Sequence, residues 1–219
     1  MNLIKVFRNP KLALILGVFF MFISCNQDEI ITNDSLEFET KSLKSKVKED
    51  NDFSLLISKN IAFSKAFMKK LHDKALLNKK NFLFKNLNEK QILKELGMDK
   101  MFENHLNEIN QFILAIKNRH PNINILKADD LSPIYEEIKK GLNTTNNIKL
   151  LSRVDECDDQ FESDFHTIHA NYDKAITWCT VLSLLTLGVG SPCYYYAVGS
   201  AITDMVVAIE NHATCKANL

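Results

Sequence analysis

Four cysteines in the last third of this 219-residue chain constrain its fold more than any other feature. Cys157 and Cys179 are 22 residues apart, as are Cys193 and Cys215, so the two pairs mirror each other about one midpoint. An antiparallel hairpin has that symmetry. On a helix rising about 1.5 Å per residue, the cysteines of one arm stand about 33 Å apart, far beyond the roughly 7 Å that a disulfide spans between Cα atoms. Pairing within an arm is therefore excluded, and pairing Cys157 with Cys193 and Cys179 with Cys215 requires parallel arms. The nested solution remains, Cys157–Cys215 and Cys179–Cys193. The first arm supports it. Cys157, Phe161, Phe165, Ile168, Tyr172, Ile176 and Cys179 follow the helical period, and Asp155, Glu156, Asp158 and Asp159 crowd its start, where the helix dipole favours negative charge. One signal conflicts. Gly188, Gly190 and Pro192 mark a turn, yet a straight helix from Cys179 to Leu187 carries the chain about 12 Å past the point where Cys193 restarts it. Either the first arm ends early or the turn is longer than those residues imply.

Between Lys174 and Asp204 lie 29 consecutive uncharged residues, including Trp178, Leu182, Leu184, Leu185 and Tyr194 to Tyr196. Two membrane spans need about 40 apolar residues, and this run divides at the Gly188 to Pro192 signals into arms too short to cross a bilayer. The expectation is a buried hairpin capped by the preceding part of the chain. The alternative is a membrane-active effector, since the hairpin loosely resembles the hydrophobic hairpins of pore-forming bacteriocins, a likeness of architecture and not of motif.

The N-terminus sets an address. Lys5, Arg8 and Lys11 precede the uncharged run Leu12 to Ser24, in the order of a secretory signal peptide. Phe22-Ile23-Ser24-Cys25 resembles the lipobox of bacterial lipoproteins, with Phe22 where leucine is usual. The resemblance implies cleavage before Cys25, diacylation of its thiol and acylation of the new amino terminus. Two or three acyl chains give stable membrane anchoring, where one binds marginally. Asn26-Gln27-Asp28-Glu29 resembles the acidic signal that sends lipoproteins of Bacteroidota to the outer face of the outer membrane. Export also places the other four cysteines where disulfides persist.

Residues 26–51 are polar with no sustained period and read as a flexible spacer. From there Leu56, Ile57, Phe63, Phe67, Leu71 and Ala75 recur at helical steps, predicting a helix over 54–78. Asn88 to Gln91 resembles a capping box for a short helix that Gly97 ends. A longer helix runs from Asp99 to before Pro121 on the stripe Phe102, Leu106, Ile109, Ile113 and Ile116. Ser132-Pro133 is a favoured cap and first-turn pair for a further helix closing at Gly141, and the polar stretch Thr144 to Asn147 suggests a boundary. Gly and Pro together number ten of 219 residues, against roughly 12% in an average protein, which argues against barrels, sandwiches and Gly-rich nucleotide folds. The fold class expected is all-α: 1–24 a lipoprotein signal peptide, 25–51 a lipidated flexible tether, 52–147 a basic helical bundle, and 148–219 an acidic, disulfide-stapled hydrophobic hairpin.

Charge is partitioned. Residues 41–154 hold 22 basic and 13 acidic side chains, whereas 155–219 hold Lys174 and Lys216 against nine acids. The two segments dock on each other, or the basic one faces an anionic surface. Its aromatics are phenylalanines in apolar phase, so no nucleic-acid partner is expected. Glu162, His166, His169 and Asp173 fall at helical positions 0, 4, 7 and 11 and form a weak candidate set for a divalent metal; an acidic solvated face explains the same residues without one and is the preferred reading. No Gly-x-Ser-x-Gly elbow, phosphate loop or dinucleotide motif is present. With Cys25 assigned to lipid and four cysteines to disulfides, no thiol nucleophile remains. The function expected is interaction at the cell envelope without catalysis or cofactor, through a membrane anchor and an envelope-protein or anionic-surface partner.

Overall fold

The computed structural model describes residues 33–77, 87–142, 155–186 and 190–218. Cys25, the signal-like segment before it, the acidic tetrapeptide after it and the Thr144 to Asn147 stretch lie outside them. A division falls between Phe38 and Glu39, and the fold below is that of the unit Glu39–Leu219. Among the described residues there are seven α-helices and no strand: α1 (Asn33–Lys48), α2 (Asn51–Leu77), α3 (Glu89–Glu95), α4 (Asp99–Arg119), α5 (Ala128–Gly141), α6 (Glu156–Leu185) and α7 (Gly190–Ala217), with a 3-10 turn at Ile123–Ile125. The architecture is a small helical bundle, α1 to α5, followed by the antiparallel hairpin α6–α7.

The hairpin carries both disulfides in the nested arrangement. Cys157 pairs with Cys215 at a Cα separation of 5.8 Å, and Cys179 with Cys193 at 5.5 Å. The conflicting turn signals resolve on the second arm. α6 runs to Leu185, but α7 begins at Gly190, so Gly190 and Pro192 are helical. Pro192 sits in the first turn, where a backbone N–H has no intrahelical partner and its absence costs nothing. Starting α7 three residues before Cys193 brings that cysteine back level with Cys179. Close approach fixes Gly190 too: an added Cβ lies 2.8 Å from Ser183 Oγ on α6. The open end is tied by charge. Asp155 caps α6 through the N–H groups of Cys157 and Asp158, Lys216 reaches Asp155 and Asp158, and His212 lies 2.8 Å from Asp158 Oδ1.

α2 is the central helix, packed against α4, α5, α6 and α7. Its buried residues, from Phe53, Leu56 and Ile57 to Met68, Leu71 and Ala75, share one face, and Leu55, Lys59, Lys69 and Lys70 lie on the opposite, exposed face. One apolar cluster continues from Leu43 through α2, α4 and α5 to Ile209 in the hairpin. Asp50 caps α2. Its Oδ1 accepts from the Asp52 and Phe53 N–H groups, and Arg119 and His120 at the end of α4 reach the same carboxylate at 2.8 to 2.9 Å. Burial pulls this carboxyl upward, but the hydrogen bonds from Arg119, His120 and the two backbone groups outweigh it and hold it down at about 2.

The short helix forms as expected. Asn88 Oδ1 accepts from Gln91 N–H at 3.0 Å, Gln91 Oε1 accepts from Asn88 N–H at 2.9 Å, and Gly97 ends it at φ +63°. Two elements differ from expectation. The stretch 33–48, expected as flexible spacer, is helical. Leu43 and Val47 bury one face, while Lys44 and Lys48 pair with Asp130 and Glu137 of α5, each at 2.6 Å. α5 starts at Ala128 and not at Ser132, because Asp130 Oδ2 accepts the Lys127 N–H at 2.9 Å and closes the helix start four residues earlier. Pro133 is accommodated inside α5.

Candidate functional site

Chemistry-bearing side chains concentrate on the seam where α2 and α4 meet the hairpin. α2 supplies Asn60, Ser64 and His72. The first two occupy the same 3-4 register as Phe53, Ile57, Phe67 and Leu71, so forming the helix turns them inward. Asn60 Nδ2 donates to Thr180 Oγ1 at 2.8 Å, and Thr180 shares a hydrogen bond of 2.7 Å with the Tyr194 hydroxyl of α7. Burial pushes the Tyr194 phenol up to about 12, so this chain of contacts stays uncharged. Ser64 Oγ donates to Asp173 Oδ1 at 2.5 Å and lies 3.5 Å from His169 Nε2. His72 Nε2 is 3.3 Å from Glu162 Oε1, with both side chains buried.

The predicted metal-site residues divide among these contacts. Glu162 faces His72, His169 faces Ser64, and Asp173 is shared by Ser64, Lys139 at 3.5 Å and His169 at 3.8 Å. His166 points to solvent. A stripe spanning eleven residues is about 16 Å long, so its ends cannot share one ion without help from a neighbouring helix. Among the described residues no group of three or more His, Cys, Asp or Glu is placed to hold a metal ion.

Ser64, His169 and Asp173 are the three residue types of a nucleophilic triad, in the wrong order. The serine bonds the carboxylate directly, the imidazole stands off at 3.5 Å, and Ser64 is 2% exposed. Nucleophilic attack needs the imidazole to take the serine proton and a substrate to reach the oxygen. This arrangement fixes the register of α6 on α2 instead.

His105 of α4 completes the seam. Its ring stacks on Phe63 at 4.4 Å and meets Tyr194 edge-on at 6.2 Å. Burial pushes its imidazole down to about 4, with Glu108 raising it and Lys59 lowering it by smaller amounts. On its outer side lies a surface groove of about 420 Å³ between α2 and α4, bridged by Lys59 and Glu108 at 2.9 Å. Sequence reasoning missed Asn60, Ser64, His72 and His105. The available signal was their phase: each falls on or beside the apolar stripe of its helix.

Half of the described residues of the uncharged run are buried. Cys179, Thr180, Val181, Ser183, Leu184, Tyr194, Ala197, Val198, Ala201 and Ile202 are buried, whereas Trp178 is 50% and Tyr196 76% exposed. Among the described residues no helix is long and apolar enough to cross a membrane. No protein-family model matches the chain, and no curated protein or solved structure is significantly similar to it.

Proposed function

We propose that this chain is an exported lipoprotein, anchored to the bacterial outer membrane through Cys25 and displayed at the cell surface, where its helical module acts by binding and not by catalysis. The address is supported by the lipobox-like Phe22 to Cys25 and the acidic Asn26 to Glu29. The binding role is supported by one observation above the others: the apolar hairpin is docked and stapled, and Asn60, Ser64 and His72, the polar side chains that α2 buries against it, contact Thr180, Asp173 and Glu162 of the hairpin. The partner is another envelope component or an anionic surface. Cys25→Ser tests the anchor. Cells expressing the variant should accumulate an unprocessed precursor that takes up no labelled fatty acid; normal processing refutes lipidation.

A second reading, a membrane-active effector that inserts the hairpin, is favoured by the exposed Trp178 and Tyr196 on the uncharged run. It expects dye release from anionic vesicles and a blue shift of Trp178 fluorescence. Intact vesicles and an unchanged spectrum, in oxidised and reduced protein alike, leave the binding role.

A further inference from the structure

All four cysteines of residues 39–219 lie in the hairpin, so both disulfides join α6 to α7 and none joins the hairpin to the bundle. The seam is held by packing, hydrogen bonds and the Lys139–Asp173 ion pair. It is also where the interior is least satisfied. Among the described residues, the buried side-chain polar atoms without a hydrogen-bond partner are Asn60 Oδ1, His105 Nε2, Glu162 Oε2 and Tyr172 OH. Each belongs to a residue that faces across this seam: Asn60 to Thr180, His105 to Tyr194, Glu162 to His72 and Tyr172 to Phe67. Leaving such groups dry is costly, and opening the contact returns each of them to water.

We infer that the seam is an acid-labile joint: lowering the pH releases the disulfide-closed hairpin from α2, α4 and α5 as a unit, before either arm loses its helix. This goes beyond the proposed binding role and does not depend on the lipid anchor. His105 and His169 drive it. Around His105 stand Glu108 on its own helix, Lys59 on α2 and the Tyr194 phenol on α7. Around His169 stand Asp173 and His166 on its own helix, Lys65 on α2 and Lys139 on α5. Asp173 favours the charged imidazole from 3.8 Å, but burial outweighs it. Burial keeps both imidazoles below their ordinary value, His105 at about 4.

The sign follows. The open state takes up protons near pH 6.5, the closed state does not until lower pH, and closure weakens between the two. For His105 alone the span from 6.5 to about 4 changes the opening equilibrium by on the order of a hundredfold.

The test titrates the full oxidised chain from pH 7.5 to 3.5, reading helix content by far-ultraviolet circular dichroism and the buried Tyr172 and Tyr194 by near-ultraviolet circular dichroism. The tyrosine signal should disappear between pH 6.5 and 4 while helix content persists, the signature of lost packing with retained helices. His105→Phe combined with His169→Gln should lower that midpoint by about one pH unit. Should the double variant not fold, each single variant should lower the midpoint by part of that. Loss of both signals together in the unmodified chain overturns the inference, as does a midpoint that neither histidine substitution moves.

Discussion

In the hairpin, α6 and α7 are held by two disulfides, by apolar inner faces and by the Asp155, Asp158, Lys216 and His212 cluster at the open end, while α1 to α5 have no covalent tie and are held by apolar packing, caps and charge pairs: the Asp50 node, the Asn88 box, and Lys44 and Lys48 against α5. Both regions contribute to one apolar cluster, yet they differ in what has to be removed before they come apart. A covalent staple acts mainly by restricting the unfolded chain and is indifferent to pH, whereas a charge pair acts in the folded state and is lost when its carboxylate is protonated. Reductant should therefore loosen the hairpin and leave the bundle's own contacts in place, whereas acid acts on charged contacts in both regions and on the seam between them.

The largest effects should come from the staples. Cys157–Cys215 closes a loop of 58 residues and Cys179–Cys193 one of 14. In the chain-entropy account, removing the first by double serine substitution costs about 4 kcal/mol and the second about 3 kcal/mol. Denaturant midpoints of the two variants check the order. Equal losses would mean that strain or residual structure, not loop length, governs the hairpin.

Acid sharpens the comparison from the other side. The Asp50 carboxyl is held at about 2 against an ordinary 3.8, so its contribution is present above 3.8 and lost as the pH falls through about 2. Discounting for solvent around the exposed Arg119 side chain, the amount is about 1–2 kcal/mol. Stability measured against pH for the unmodified chain and Asp50→Asn should differ at neutral pH and converge below about pH 2. That window lies beneath the one inferred for the seam, so acid should free the hairpin first and loosen the start of α2 afterwards.

The same contrast explains what the sequence made legible. The hairpin was readable because the cysteine spacing, the apolar period of α6 and the acidic start of that helix all agree. The short helix α3 was readable because both halves of its cap lie within four residues. α1 was not, because its helix is stabilised by packing of Leu43 and Val47 and by ion pairs to α5, partners that local periodicity cannot show. The seam was half legible. Glu162, His169 and Asp173 stood out as a polar stripe on an apolar helix, but their partners His72 and Ser64 are 90 to 109 residues away in sequence. Lacking those partners, the stripe reads as a solvated face, with a metal site as the weaker alternative. Gly190 and Pro192 misled for a physical reason, since both residues are as acceptable in the first turn of a helix as in a loop.

A smaller effect isolates the local part of the bundle. Asn88→Ala removes the acceptor for Gln91 N–H and should cost about 1 kcal/mol. Asn88→Asp, which keeps the acceptor, should restore most of it in the same melting measurement. If the alanine variant loses nothing, α3 is held by its buried Ile92 and Leu93 and not by its cap.

The smallest effect bears on the outside of the hairpin. Tyr194 and Tyr196 lie two residues apart on α7, but the first is 1% exposed and bonded to Thr180 while the second is 76% exposed. Trp178, beside Cys179 on α6, is 50% exposed. Tyr196 keeps most of its surface in water and gains little from folding, so Tyr196→Ala should change stability by no more than about 0.5 kcal/mol, whereas the half-covered Trp178 is expected to contribute more. Thermal unfolding of the Tyr196→Ala variant checks this. A loss above about 1 kcal/mol would mean that this outer position is packed within the protein itself, and it would remove Tyr196 as support for membrane contact. Unchanged stability leaves a large aromatic side chain three residues from the inner disulfide with no role in holding the fold, and substitutions there can then be used in vesicle and partner-binding assays without disturbing the core.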